Sequence, residues 1–352
     1  MDDRGIWLNR SPAFADPRAS NDSWGTFSGV RCLAVDVRAS CNSWHAAPAE
    51  ETDVEEDVPP DGAWPGWSGM MLPRQRADLL ASYGATASEV EELLAYNRNV
   101  FDRSFDQLPT LPLPAEPHVA EWEHYAREAA EVGALAALRR RLVQLRFPIL
   151  EGISQTDAYR AATLRGASTE EMTEACGLDL ASPDDLRLRV HPSPAGPIPV
   201  LASGDRADFV ILVRALTMRN EPAPVPESMG ACMVSGFNNW DRISEYRRRW
   251  EAEGGDHSEV AWQEEFRRLV PQKELYQDRF LILGTGPYSN VAAREIGLPD
   301  PEWHRTSTKI RLEHECTHYI TLRVFGSMRN NLLDELLADY MGITAAAGRY
   351  RA

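Results

Sequence analysis

Apolar positions keep a helical spacing from about residue 70 to 183 and an alternating one in short runs beyond it, with the change near residue 184. Before residue 45, Val30, Cys32, Val35 and Val37 alternate in a way that predicts one or two strands. Thr86 with Glu89 forms a capping box ahead of Val90, Leu93 and Leu94, which predicts a helix start. After a break at Pro109, Pro112, Pro114 and Pro117, residues 119–145 predict a long helix, with Leu135, Leu138, Leu142 and Leu145 on one face. Ser154 with Asp157 and Ser168 with Glu171 mark two more helix starts. Further on, strands predicted over 186–190, 198–202, 231–237 and 280–284 alternate with helices over 206–217, 240–253 and 258–269.

This pattern divides the chain into an N-terminal segment with an acidic, proline-bearing linker (1–69), a mainly helical region (70–183) and a mixed α and β domain (184–352). Composition narrows the function classes. A net charge of -16 argues against binding a phosphate backbone as the main activity. The runs Arg139 to Arg141 and Arg247 to Arg249 sit among helix formers and acids and read as solvated faces. No apolar stretch follows the acidic start Met1-Asp2-Asp3, and the runs 209–213 and 280–283 are far too short to span a bilayer. Five unevenly spaced cysteines without a CxxC fit free thiols and a reducing compartment. The expectation is a cytoplasmic protein with neither nucleic-acid nor membrane partners.

The candidate chemistry lies near the C-terminus. Residues 311–320 read RLEHECTHYI, an HExxH inside a helical pattern. On a helix, His314 and His318 stand one turn apart and about 40° around the axis, so both imidazoles reach one ion. Glu315 lies on the same flank, beside a water such an ion would hold. Cys316 points roughly 160° away, a thiol packed behind the site rather than a ligand. Thr306 or Ser307 can start this helix and Gly326 can end it.

A second helix follows within a few residues. Asn331 can cap it, its leucines bury one face, and Glu335 and Asp339 share another at i,i+4 spacing. The short connection makes an antiparallel hairpin. The first helix rises about 10 Å past His318 and the second returns about 6 Å to Glu335, whose carboxylate can swing to the histidines. Asp339 can accept a ring N–H from a liganding histidine, whereas Asp334, rotated about 100° from Glu335, is expected toward solvent or the loop. His314, His318 and Glu335 with an open fourth position form a catalytic rather than structural Zn2+ arrangement.

At these residues, about 310–342, the chain resembles the gluzincin group of zinc metallopeptidases, whose pattern is HExxH followed by ExxxD on a second helix. The resemblance implies an α+β, zincin-like domain: a small sheet, the HExxH helix and an antiparallel Glu-bearing helix. It also implies zinc on His314, His318 and Glu335, Glu315 as general base, Asp339 as outer orienter, and a peptide or protein substrate. Arg311 departs from the pattern, where such helices more often carry a small or aliphatic residue. No histidine follows His318, so the donor to the reacting oxyanion is to be sought among Tyr340, Tyr319, Arg329, Tyr288 and His304. In zincins a sheet edge near the metal helix pairs with an extended substrate; residues 280–290 are the candidate for it, although a core strand ending in a Gly/Pro turn is the stronger reading. Hydrolysis of a non-peptide amide or ester, or a non-catalytic scaffold, are the competing functions. An intact Glu315 weighs against the scaffold.

Overall fold

The structure, a computed structural model, describes residues 73–96, 98, 101, 108–327 and 332–350. The strands expected before residue 45, the acidic linker, Arg329 and the Asn331 cap lie outside them. Among the described residues are eleven α-helices and four strands. In chain order the helices are α1 (Pro73–Ser82), α2 (Ala87–Tyr96), α3 (Val119–Val132), α4 (Ala134–Arg141), α5 (Asp157–Arg165), α6 (Arg206–Thr217), α7 (Trp240–Ala252), α8 (Glu259–Leu269), α9 (Ala293–Ile296), α10 (Asp300–Phe325) and α11 (Leu332–Ala347). The strands are β1 (Arg187–His191), β2 (Ile198–Ser203), β3 (Ala231–Asn238) and β4 (Gln277–Gly284).

The strands form one mixed sheet in the order β1-β2-β4-β3, with β2 and β4 parallel and both outer pairings antiparallel. Successive side chains on a strand face opposite ways, and each inner run feeds two cores. Leu201, Cys232, Val234, Phe280 and Ile282 pack with Trp122 and Tyr125 of α3, Leu138 of α4 and Phe209, Leu212 and Val213 of α6. Their neighbours Val200, Ala231, Met233, Leu281 and Leu283 pack on Leu312, Cys316 and Tyr319 of α10. The fold is thus α+β with helices on both faces of a small sheet. The first core draws side chains from both sides of residue 184.

All four strands and the helices over 206–217, 240–252 and 259–269 stand within a few residues of their sequence signals, capped by the side chains of Asp205, Asn239 and Ser258. The Thr86–Glu89 capping box is formed in both directions, at 2.8 and 3.3 Å. Three expectations are corrected. The long helix over 119–145 breaks at Gly133, whose φ of 89° suits glycine and ends α3 before α4 begins. The helix after residue 154 starts at Asp157 with Thr156 as its cap, because Ser154 is taken up in a preceding 3-10 turn. No helix follows Ser168; the chain makes short turns that tuck Met172 and Ala175 against a small core and return Gly177 N–H to Arg146 O. Phe280 to Gly284 is a central strand bonded on both sides, the core strand of the stronger reading and not a free edge.

Cys176 and Cys316 are free thiols, whereas Cys232 is disulfide-bonded, against the expectation of free thiols. Among the described residues no helix is long and apolar enough to cross a membrane.

Candidate metal centre

The HExxH pattern sits in α10, a helix of 26 residues that begins at Asp300, behind Pro299, rather than at Thr306 or Ser307. Ser307 is instead buried and accepts a hydrogen bond from Tyr288 N–H. Gly326 ends α10 in the left-handed conformation, as expected. Leu312, Cys316 and Tyr319 seat one face of α10 on the sheet, which leaves His314 and His318 facing α11.

The buried stripe of α11 is not its leucines. Asp334, Glu335, Ala338 and Gly342 are buried, while Leu333, Leu336, Leu337, Tyr340 and Met341 are exposed. This corrects the expected orientation and has a physical reason: the acids have partners on α10, and small residues let the helices close. A Cβ at Gly342 would stand 2.6 Å from Ile310 O and 3.3 Å from His314 N. The absence of that atom sets the spacing.

At that spacing His314, His318 and Glu335 converge, with one ligand atom from each within 4.8 Å of the others. The two Nε2 atoms are 3.1 Å apart, and the Glu335 carboxylate lies 3.6 Å from each. His314 Nδ1 donates to Asp339 Oδ1 at 2.9 Å, and His318 Nδ1 to Asp334 Oδ2 at 2.9 Å. A carboxylate only accepts, so these bonds put a ring proton on each Nδ1 and turn each Nε2 toward Glu335. Without a cation the two Nε2 atoms, 3.1 Å apart, have to share a proton, and Glu335 Oε1 is buried with no hydrogen-bond partner. A cation bound by all three takes the place of that proton and gives Glu335 a partner, so the residues present fit a zinc ion.

Electrostatics agree. Burial alone would lower the His318 pKa, yet Asp334, Glu335 and Glu315 together push it up to about 10, the mark of a pocket that demands positive charge. Burial raises the Glu315 carboxyl above its ordinary range, against the pull of both histidines. Burial would also raise Asp339, but bonds from His314 and Tyr288 hold it below the usual carboxylate range.

Asp334 is the residue that sequence reasoning misplaced. It is 1% exposed and bonded to His318, not turned to solvent. Its signal was the stripe Asp334, Ala338, Gly342 at intervals of four, the one face of α11 able to pack closely. Tyr288 was considered only as an oxyanion donor; its hydroxyl instead donates to Asp339 Oδ1 at 2.6 Å and lies 3.1 Å from His314 Nδ1. Arg311 explains its own departure from pattern. Its guanidinium donates to the carbonyls of Gly284, Gly286 and Pro287, clamping the loop that delivers Tyr288.

The other donor candidates sit elsewhere. Tyr319 is buried and bonded to Glu116, Tyr340 is exposed and stacked on Tyr350, and His304 is exposed. Tyr96 of α2, unconsidered from sequence, is near enough for the charges of Glu335 and Asp339 to add to burial in raising its phenol pKa.

The molecule is therefore an α+β protein with a buried two-histidine, one-glutamate cluster braced by two aspartates. It belongs to the family of unknown function DUF7005, which matches residues 78–352. No curated protein and no solved structure matches the chain.

Proposed function

We propose that the chain is a zinc-dependent hydrolase of the gluzincin type, acting on peptide bonds. The observation that carries this reading is the pair of Nε2 atoms 3.1 Å apart, each ring fixed from behind by its own aspartate and both facing Glu335. His314, His318 and Glu335 would hold the ion, the two-histidine, one-carboxylate set typical of catalytic zinc. Zinc held there supplies a Lewis acid that acidifies water and polarises an amide carbonyl.

The remaining work falls to the chain. Glu315, buried beside the histidines with its pKa raised, takes a proton from the attacking water and delivers it to the leaving nitrogen. Asp339 and Asp334 hold the imidazoles in one tautomer, and Tyr288 fixes Asp339. The zincin-like arrangement belongs to the same proposal: sheet, HExxH helix and Glu-bearing helix stack in that order. Peptide is favoured over smaller amides and esters because β3 packs on α10 and, among the described residues, its outer side pairs with no other strand, an edge an extended chain could join.

The test is a pair of variants on protein purified without chelator. Glu315→Gln should keep zinc and abolish peptide-library cleavage, whereas Glu335→Ala should lose the zinc itself. Loss of metal from the first with retention in the second would invert the roles, and zinc that binds independently of Glu335 would remove the site.

A further inference from the structure

A second group of metal-ligating side chains lies on the other flank of α10. His191 closes β1, and Glu313 and Cys316 are three residues apart on α10; one ligand atom from each lies within 4.8 Å of the others. His191 Nε2 and Glu313 Oε1 are 3.3 Å apart, with side chains 16% and 25% exposed, while Cys316 is buried at the floor. None of the three takes part in the His314–His318–Glu335 cluster.

We propose that His191, Glu313 and Cys316 form a second metal site, selective for a borderline-soft divalent ion such as zinc or cobalt. Thiolate and imidazole favour such ions over magnesium or calcium, and one carboxylate completes a three-ligand set open to water. A tetrahedral ion with bonds of about 2.0–2.3 Å needs ligand atoms ~3.3–3.8 Å apart. The spacing of His191 and Glu313 already meets this, and these two partly exposed side chains are the ones free to adjust toward the thiol. Arg189 and Lys309 stand near Glu313, and Arg189 also near Cys316, so the ion would enter against some repulsion. Among the described residues neither makes an ion pair with Glu313, whose partner is His191.

The ion would act as a rivet. Among the described residues β1 is bonded to the sheet on one side only, through β2, and His191 is its last residue. Joining it to α10 ties the sheet's outer strand to the helix that carries the first site. The assignment does not rest on the hydrolase reading, since it concerns different side chains.

The test strips the full chain with chelator and titrates it under reducing conditions with zinc and, separately, cobalt. Two equivalents should bind, and one of the cobalt ions should show near-ultraviolet thiolate-to-cobalt charge transfer. His191→Ala and Glu313→Gln, both at partly exposed positions, should each remove that band and weaken that ion by at least about tenfold, the size that losing even an outer partner causes. The other equivalent should be untouched. Glu335→Ala should do the reverse and keep the band. Cys316→Ser, where it folds, should lose the band while the first ion binds as before. The absence of any bound cobalt with the band, or a band surviving both His191→Ala and Glu313→Gln, overturns the site and leaves an ion pair above a packed thiol; a single equivalent that carries the band supports it and counts against the first site alone.

Discussion

Replacing Gly342 with alanine would test whether the distance between α10 and α11 makes the metal centre. In the middle of a helix, alanine is favoured over glycine by about 1 kcal/mol, so on propensity alone the change stabilises. Packing says the opposite. The added Cβ would meet Ile310 O at 2.6 Å, and reaching ordinary contact at 3.4 Å takes about 0.8 Å of separation. The obstacle is backbone, which cannot rotate aside, and overpacking of this kind costs about 1–3 kcal/mol. Asp339 lies less than one turn away, so its 2.9 Å bond to His314 takes most of the movement. Glu335, about 10 Å along the axis, feels a smaller tilt. The expected result is equal or lower stability in urea and zinc affinity reduced by about tenfold, the low end for losing a histidine's outer partner. Competition against a chromophoric chelator measures the affinity. Stabilisation near 1 kcal/mol with unchanged zinc binding would refute the reasoning.

Asp334→Asn should lower zinc affinity by ~10–100-fold and at least as much as Asp339→Asn, because Asp334 is the buried partner of His318, whereas Asp339 is a third exposed and shares its load with Tyr288. Matched titrations decide, and an inert Asp334→Asn would contradict the structure. Glu116→Gln should cost about 1.5–3 kcal/mol, since the carboxylate accepts from Arg279 at 2.8 and 2.6 Å and from Tyr319 at 2.7 Å. Burial opposes the Glu116 charge but Arg279 and Tyr319 prevail and hold its pKa below the ordinary 4.5. The stability it supplies is therefore complete above that value and lost as pH falls through the lower folded one. Denaturation between pH 3 and 6 should show wild type declining more steeply with acid than Glu116→Gln, and parallel profiles would count against the link.

The pattern of residues carried a good part of this structure, and the places where it did not share a cause. Near-continuous apolar runs gave β2, β3 and β4 because each faces two apolar cores, and alternation gave β1 because only Leu188 and Val190 pack on one. HExxH and Glu335 with Asp339 gave a hairpin because helix geometry alone puts them on facing sides. Asp334 was misplaced because reading α11 as an ordinary amphipathic helix buries its leucines. Its neighbour is instead a polar ligand face, so acids and small residues lie inside and Leu333, Leu336 and Leu337 outside. The break at Gly133 was hidden because leucine spacing continues through it. Tyr288 and Arg311 depend on contacts between a loop and a helix more than twenty residues apart, which no local pattern contains.

The side chains of Trp122, Tyr125 and Glu116 bear on how this chain can be divided. Trp122 and Tyr125 fill the core behind Phe280 and Val234, and Glu116 holds Tyr319, the residue after His318. A fragment beginning at residue 184 would contain every proposed ligand, yet it would open one face of its sheet to water and cut the helix of the histidines from its anchor. The smallest piece able to stand alone, or to be transplanted into another protein with its metal chemistry intact, therefore has to reach back to the proline-rich segment ahead of α3.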